Sequence, residues 1–267
     1  MRFLLLTYLV FMLTSLCAQE GSWKLLHVYE SKDIDAWDVD PMGKLIIAER
    51  DILVKLDTSF SVQFTQSTKQ LGEVEQLDAA HSLKTLVFSE VQQYVSFVDN
   101  TLTFQEGIKD LSDYNVAYAT NVGYSNQTNR FWVYDGDNSQ LLLIDETGNQ
   151  ISKINNLSAI TGGMQPQDLF ERNNELLLFY EDIGVFFFDY YGSLISHFPI
   201  DNASAVHFTK DYLFLVVKNT VIRINRKTQE RIVYELPDKV ISGIRVNGNS
   251  LFLEVPQGIK KYSLIPE

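Results

Sequence analysis

The chain repeats one pattern six times, and that repetition constrains its fold more than any single motif. Six runs resemble one another: "KLIIAE" (44–49), "KTLVFSE" (84–90), "RFWVYD" (130–135), "ELLLFYED" (175–182), "YLFLVVK" (212–218) and "SLFLEV" (250–255). Each is an apolar, β-branched or aromatic stretch entered from a group of turn-forming residues, which reads as a strand. A second run follows each: "ILVKLD", "YVSFVD", "QLLLID", "GVFFFD", "TVIRIN" and "GIKKYS". Each of these closes on Asp, Asn or Ser, whose short side chain can hydrogen-bond the backbone just beyond it and start a tight turn. A third run precedes each pair: "AWDVD", "QLDAA", "TNVGY", "PQDLF", "SAVHF" and "SGIRV". Asp38, Asp78 and Asp168 occupy one place in this third run and read as sharing a register.

The units recur roughly every 36 to 46 residues, the period of a β-propeller with four strands per blade. Units one to five leave room for a fourth, outer strand, such as "VQFTQ" (62–66) and "LISHFPI" (194–200), but the sixth does not. An unassigned strand, "WKLLHVYE" (23–30), precedes the first unit. The count predicts an all-β, six-bladed propeller of four-stranded blades in which this N-terminal strand completes the last blade. Such closure removes the open sheet edges that would otherwise invite aggregation.

The segment before that strand reads as a signal peptide, residues 1–18, with the propeller domain spanning 19–267. Arg2 supplies a positive start, Phe3 to Leu16 an apolar stretch too short to span a bilayer comfortably, and Ala18 a small residue at the cleavage point. Cys17 raises lipidation as an alternative, against which stands Leu16 where a small residue is wanted. Cys17 is the one cysteine, so the mature chain is expected to hold neither disulfide nor thiolate chemistry. No later run is long and apolar enough to predict a transmembrane helix. The charge balance, 34 Asp and Glu against 22 Lys and Arg for a net −12, argues against nucleic acid as a partner.

In spacing and closure the chain resembles six-bladed propellers of the NHL-like group. The phrases "LKTLVFSE", "VDNTLT" and "RFWVYDGDNSQLLLID" are similar in style to small exported propellers of Bacteroidota, including the plug subunit that closes the periplasmic mouth of the type 9 secretion translocon. That resemblance implies a periplasmic or envelope location and a non-enzymatic role with a protein partner, as a plug or accessory component of an outer-membrane secretion complex.

The alternative is a metal-dependent, lactonase-like hydrolase or a sugar- or small-ligand-binding propeller that uses its channel. Such propellers hold a divalent cation on channel carboxylates and amides, and calcium favours oxygen ligands of this kind. Asp35, Glu75, Asn121, Gln167 and His207 are the candidate channel residues here. They form no distinctive ligand set, so no cofactor is expected, with calcium in the channel as the alternative. The four histidines show no paired spacing, and no nucleophile elbow or phosphate loop is present.

"VFFFDYYG" (185–192) is the most aromatic stretch after the leader. Its Phe187 stands two residues before the terminal Asp, in a column that reads Lys55, Phe97, Leu143, Phe187, Arg223 and Lys261. If Phe97, Leu143 and Phe187 were exposed, they would form an apolar partner surface on three neighbouring blades. If they lie between blades, they are packing.

Overall fold

A computed structural model describes residues 22–265. The predicted signal segment, with Cys17, lies outside them. Among the described residues there are six sheets of four antiparallel strands, five of them traced in order from the channel outward. The inner strands are Ile34–Val39, Gln76–His81, Ala119–Tyr124, Asp168–Arg172, Ala203–Phe208 and Gly243–Asn247, one for each of blades 1 to 6. The expected closure is present: Ser22–Glu30 pairs antiparallel with Gly258–Ile265 and forms the outer strand of blade 6. None of the described helices is long and apolar enough to cross a membrane.

The turn chemistry foreseen at the end of the third strands is also realised. Asp57, Asp99, Asp145 and Asp189 each accept, through Oδ1, the backbone N–H groups two and four residues on, at 2.8–3.0 Å. Four blades thus use one carboxylate to satisfy two donors of a tight turn.

Side chains alternate along a strand, so each strand feeds the two interfaces that flank its blade. In blade 4, Phe186 and Phe188 pack with Trp132, Leu141 and Leu143 of blade 3. Val185 and Phe187 turn the other way, against Phe208 and Leu213 of blade 5. Phe187 meets Phe198 and Phe208 edge-on, at ring separations of 5.8 and 5.4 Å, a favoured aromatic geometry.

Phe97, Leu143 and Phe187 are all fully buried. This corrects the partner-surface reading of that column: its apolar members are inter-blade core. Its lysines are buried too, because each finds an oxygen. Lys55 Nζ lies 3.4 Å from Asp40 Oδ2, and Lys261 Nζ donates to the Thr58 carbonyl at 2.8 Å.

Candidate functional site in the channel

The pairing register sorts inner-strand residues into levels across the channel. Asp38, Asp78, Gly123, Phe170, His207 and Arg245 pair with Ile46, Leu86, Trp132, Leu177, Phe214 and Phe252. Those six residues in turn pair with the Lys55-to-Lys261 column, so they stand at one level. Asp168 pairs with Phe179 and belongs one level nearer the strand starts, with Gln76 and Asn121. The expected common register of Asp38, Asp78 and Asp168 therefore holds for two of the three. A shift of two keeps Asp168 on the same strand face but moves it along the channel.

The middle level is a plug. Arg245 Nε donates to Asp38 Oδ1 at 2.7 Å, and Arg172 Nη2 lies 3.0 Å from Asp78 Oδ1. The ring of Phe170 has a guanidinium near it from each arginine, 5.0 Å from Arg245 and 5.7 Å from Arg172. These are distances at which a cation is attracted to an aromatic ring. The second carboxylate oxygens join blades together. Asp38 Oδ2 accepts the Ala79 N–H at 2.7 Å, and Asp78 Oδ2 accepts the Tyr124 N–H at 2.8 Å. Each aspartate thus occupies the free backbone edge of the next blade's inner strand, a donor that would otherwise be stranded.

Electrostatics follow from this packing. Burial works to raise the Asp38 carboxyl, but Arg245, Arg172 and the Ala79 N–H outweigh it and hold the group below the usual carboxylate range. His207 stands at the same level. Burial, together with the charges of Arg245 and Arg172, pushes its imidazole down to about 3, so it is neutral near pH 7.

Above the plug, toward the strand starts, the channel opens into a cavity of about 160 Å³ lined by Asp35, Trp37, Glu75, Asp168, Arg245 and Glu254 among others. Trp37 Nε1 donates to Glu254 Oε2 at 2.9 Å and orients it. Asp168 makes no side-chain hydrogen bond among the described residues. Burial pushes its carboxyl up to about 6, with Asp38 and Glu254 adding to the rise and Arg245 opposing it.

The five residues expected in the channel separate by role. Asp35 and Glu75 line the mouth, while His207 sits at the plug. Asp35, Glu75 and Gln167 play the same structural part in their blades. Each accepts the backbone N–H that opens the turn between second and third strands, from Arg50, Glu90 and Glu181 at 2.5, 2.8 and 2.8 Å. Asn121 Nδ2 donates to the Gln167 carbonyl at 3.2 Å and so ties blade 3 to blade 4. Sequence reasoning overlooked Arg172, Arg245, Phe170, Trp37 and Glu254. A signal existed for the first two, since arginine on an inner strand must find a counter-charge once buried.

Asp38 and Asp78 are each committed to an arginine and a backbone N–H, and Asp35 and Glu75 to turn amides. No three His, Cys, Asp or Glu among the described residues converge into a metal-ligating group.

No protein-family profile matches the chain, and no curated protein matches it. Solved structures do. The virginiamycin B lyase of Staphylococcus aureus aligns over 92% of this chain and 100% of its own, at 12% identity and a TM-score of 0.65. A catalytically inactive histidine-to-alanine form of that lyase, with quinupristin, aligns over 91% and 100%, at 13% identity and 0.62. The Pan2 WD40 domain of Neurospora crassa aligns over 92% and 96%, at 10% identity and 0.65. The likeness is one of fold. Propellers with enzymatic and WD40 backgrounds match equally well, so chemistry has to be argued from the side chains.

Proposed function

We propose that this chain is a non-enzymatic binding propeller of the periplasm or cell envelope that presents its disc to a protein partner. In its most concrete form it is a plug-like or accessory subunit of an outer-membrane secretion complex of the type 9 kind. The observation that supports this reading is the mutual neutralisation in the channel. Arg245 and Arg172 are spent on Asp38 and Asp78, Phe170 fills the space between them, and burial with the charges of both arginines outweighs Asp38 and holds the His207 imidazole far below its ordinary range. A rigid disc of six blades remains, with wide loop faces. Affinity purification from the native envelope in gentle detergent tests the proposal. Co-purification of an envelope complex with the tagged chain is expected. Recovery of free monomer alone overturns it.

A second reading rests on Asp168. A carboxyl raised to about 6, without a hydrogen-bond partner among the described residues and beside a cavity, has the properties of a ligand-binding or acid–base group. It supports a small-ligand or hydrolase-like role at the channel mouth. Calcium titration followed by thermal melting separates the metal-dependent version: an upward shift in Tm favours it, and an unchanged Tm with no ion retained after dialysis opposes it.

A further inference from the structure

The interface between blades 5 and 6 lacks the aromatic pair that fills the interfaces between blades 2 and 3 and between blades 4 and 5. Tyr124 of blade 3 and Phe208 of blade 5 follow the middle-level residue of their inner strands, and each ring packs edge-on against a phenylalanine of the preceding blade, Phe97 or Phe187. In blade 6 the same place is taken by Val246 and the facing column residue is Arg223. Two aromatic rings are replaced by a small side chain and a guanidinium. What results is a cavity of about 240 Å³, walled by Trp23, Phe214, Tyr234 and Val246 and edged by the Gly248–Ser250 turn.

Arg223 is the one charged side chain among the described residues that line it, in a chain of net charge −12. Its guanidinium lies 5.0 Å from the Tyr212 ring and 5.4 Å from the Tyr234 ring. It has no hydrogen-bond or ion-pair acceptor among the described residues, in contrast to Lys55 and Lys261 of the same column. Trp23 is fixed at the wall: its Nε1 donates to the Glu235 carbonyl at 2.7 Å, and its ring meets Tyr234 at 6.1 Å. The apolar walls are thus held in place, while the donors of Arg223 are left for a guest.

We propose that this inter-blade cavity binds a carboxylate carried on an apolar body the size of one aromatic side chain. The guanidinium offers a carboxylate two parallel N–H donors, and the aromatic walls remove the body from water. The volume is below the roughly 300–1,000 Å³ of drug-sized pockets, which limits the guest to one ring or branched group. A free aromatic acid and the C-terminal phenylalanine of a peptide share this chemistry.

Calorimetric titration of the wild-type chain with N-acetyl-L-phenylalanine, its neutral amide, phenylacetate and a hexapeptide ending in free phenylalanine tests the site. The acids are expected to bind and the amide to bind at least about tenfold more weakly, since the charged hydrogen bonds are lost. Tight binding of phenylacetate identifies a free acid as the guest, whereas a tenfold preference for the peptide identifies a chain terminus. Arg223→Gln is expected to lose the acid–amide difference while melting like wild type. Val246→Phe fills the cavity as in blades 3 and 5, and is expected to raise Tm and abolish binding. Equal affinity for acid and amide, unchanged affinity in either variant, or no binding of any acid at millimolar concentration overturns the proposal.

Discussion

Arg172 and Asp78 pair at 3.0 Å across the channel, although they are 94 residues apart in sequence and two blades apart in the ring. The intervening blade contributes no side chain at the level of Asp78, because its residue there is Gly123. The pair ties blade 2 to blade 4 past the intervening blade, and a second pair, Arg245 with Asp38, joins blade 6 to blade 1.

Breaking the first pair should be costly. Asp78 is fully buried, so Arg172→Met leaves a carboxylate without its counter-charge, a loss of about 3–5 kcal/mol for buried pairs. Replacing both residues, as Asp78→Leu with Arg172→Met, should recover much of that loss because no charge is then stranded. Urea unfolding of the single and double variants measures the coupling. Strictly additive losses would argue against a paired plug.

Acid sensitivity should divide between two groups of opposite sign. Folded His207 titrates at about 3 against an ordinary 6.5. Between those values the unfolded chain takes up a proton that the folded chain refuses, so stability falls as pH drops from 6.5 toward 3. Folded Asp168 titrates at about 6 against 3.8, so the folded chain keeps a proton that the unfolded chain releases, and stability falls as pH rises from 3.8 through 6. Asp38 adds to the acid loss, since its depressed carboxyl stabilises the fold above 3.8 and ceases to do so as pH falls further. Asp168→Asn should therefore be more stable than wild type at pH 7 and no more stable near pH 3.5. Denaturation midpoints across pH 3.5–7 check this, and an unchanged difference between the two proteins over that range would contradict it.

The aromatic seam of blade 4 should behave as core. Phe187→Ala removes a fully buried ring that contacts Phe198 and Phe208, for a loss of about 3–5 kcal/mol. A change below about 1 kcal/mol in chemical denaturation would be inconsistent with that packing.

The blade count, the turns and the closing strand were legible because each rests on local rules: short apolar runs entered from turn residues, Asx turns and a leftover strand. Channel level was not. It depends on turn length and bulges within each hairpin, such as the irregularity after Asp78, and Asp168 is displaced by two residues for that reason. Exposure in the Lys55 column was equally hidden. A lysine in a sequence reads as solvent-facing, but here Asp40 and the Thr58 carbonyl make burial tolerable. Arg172 met Asp78 through a contact between non-adjacent blades, and no short window of sequence contains both partners.

Closure itself should be sensitive to a single methyl group. Gly258 begins the strand that receives the N-terminal strand, at φ +136°, and a Cβ there would sit 1.9 Å from the Tyr29 carbonyl oxygen. Gly258→Ala should cost about 1–3 kcal/mol from the backbone conformation alone, and the clash adds to it. Hydrogen exchange should show the loss first in Ser22–Glu30, and uniform protection across all six blades would speak against this view of closure.

The pairing of Ser22–Glu30 with Gly258–Ile265 also sets a clock on synthesis. Among the described strands Ser22–Glu30 leaves the ribosome first and waits for Gly258–Ile265, with more than two hundred residues made in between. Until then blade 6 lacks its outer strand and Trp23 lacks its wall beside Tyr234. A chain truncated before Gly258 leaves Ser22–Glu30 without a place in any sheet, so synthesis of Gly258–Ile265, rather than any earlier folding step, is what turns six sheets into a ring.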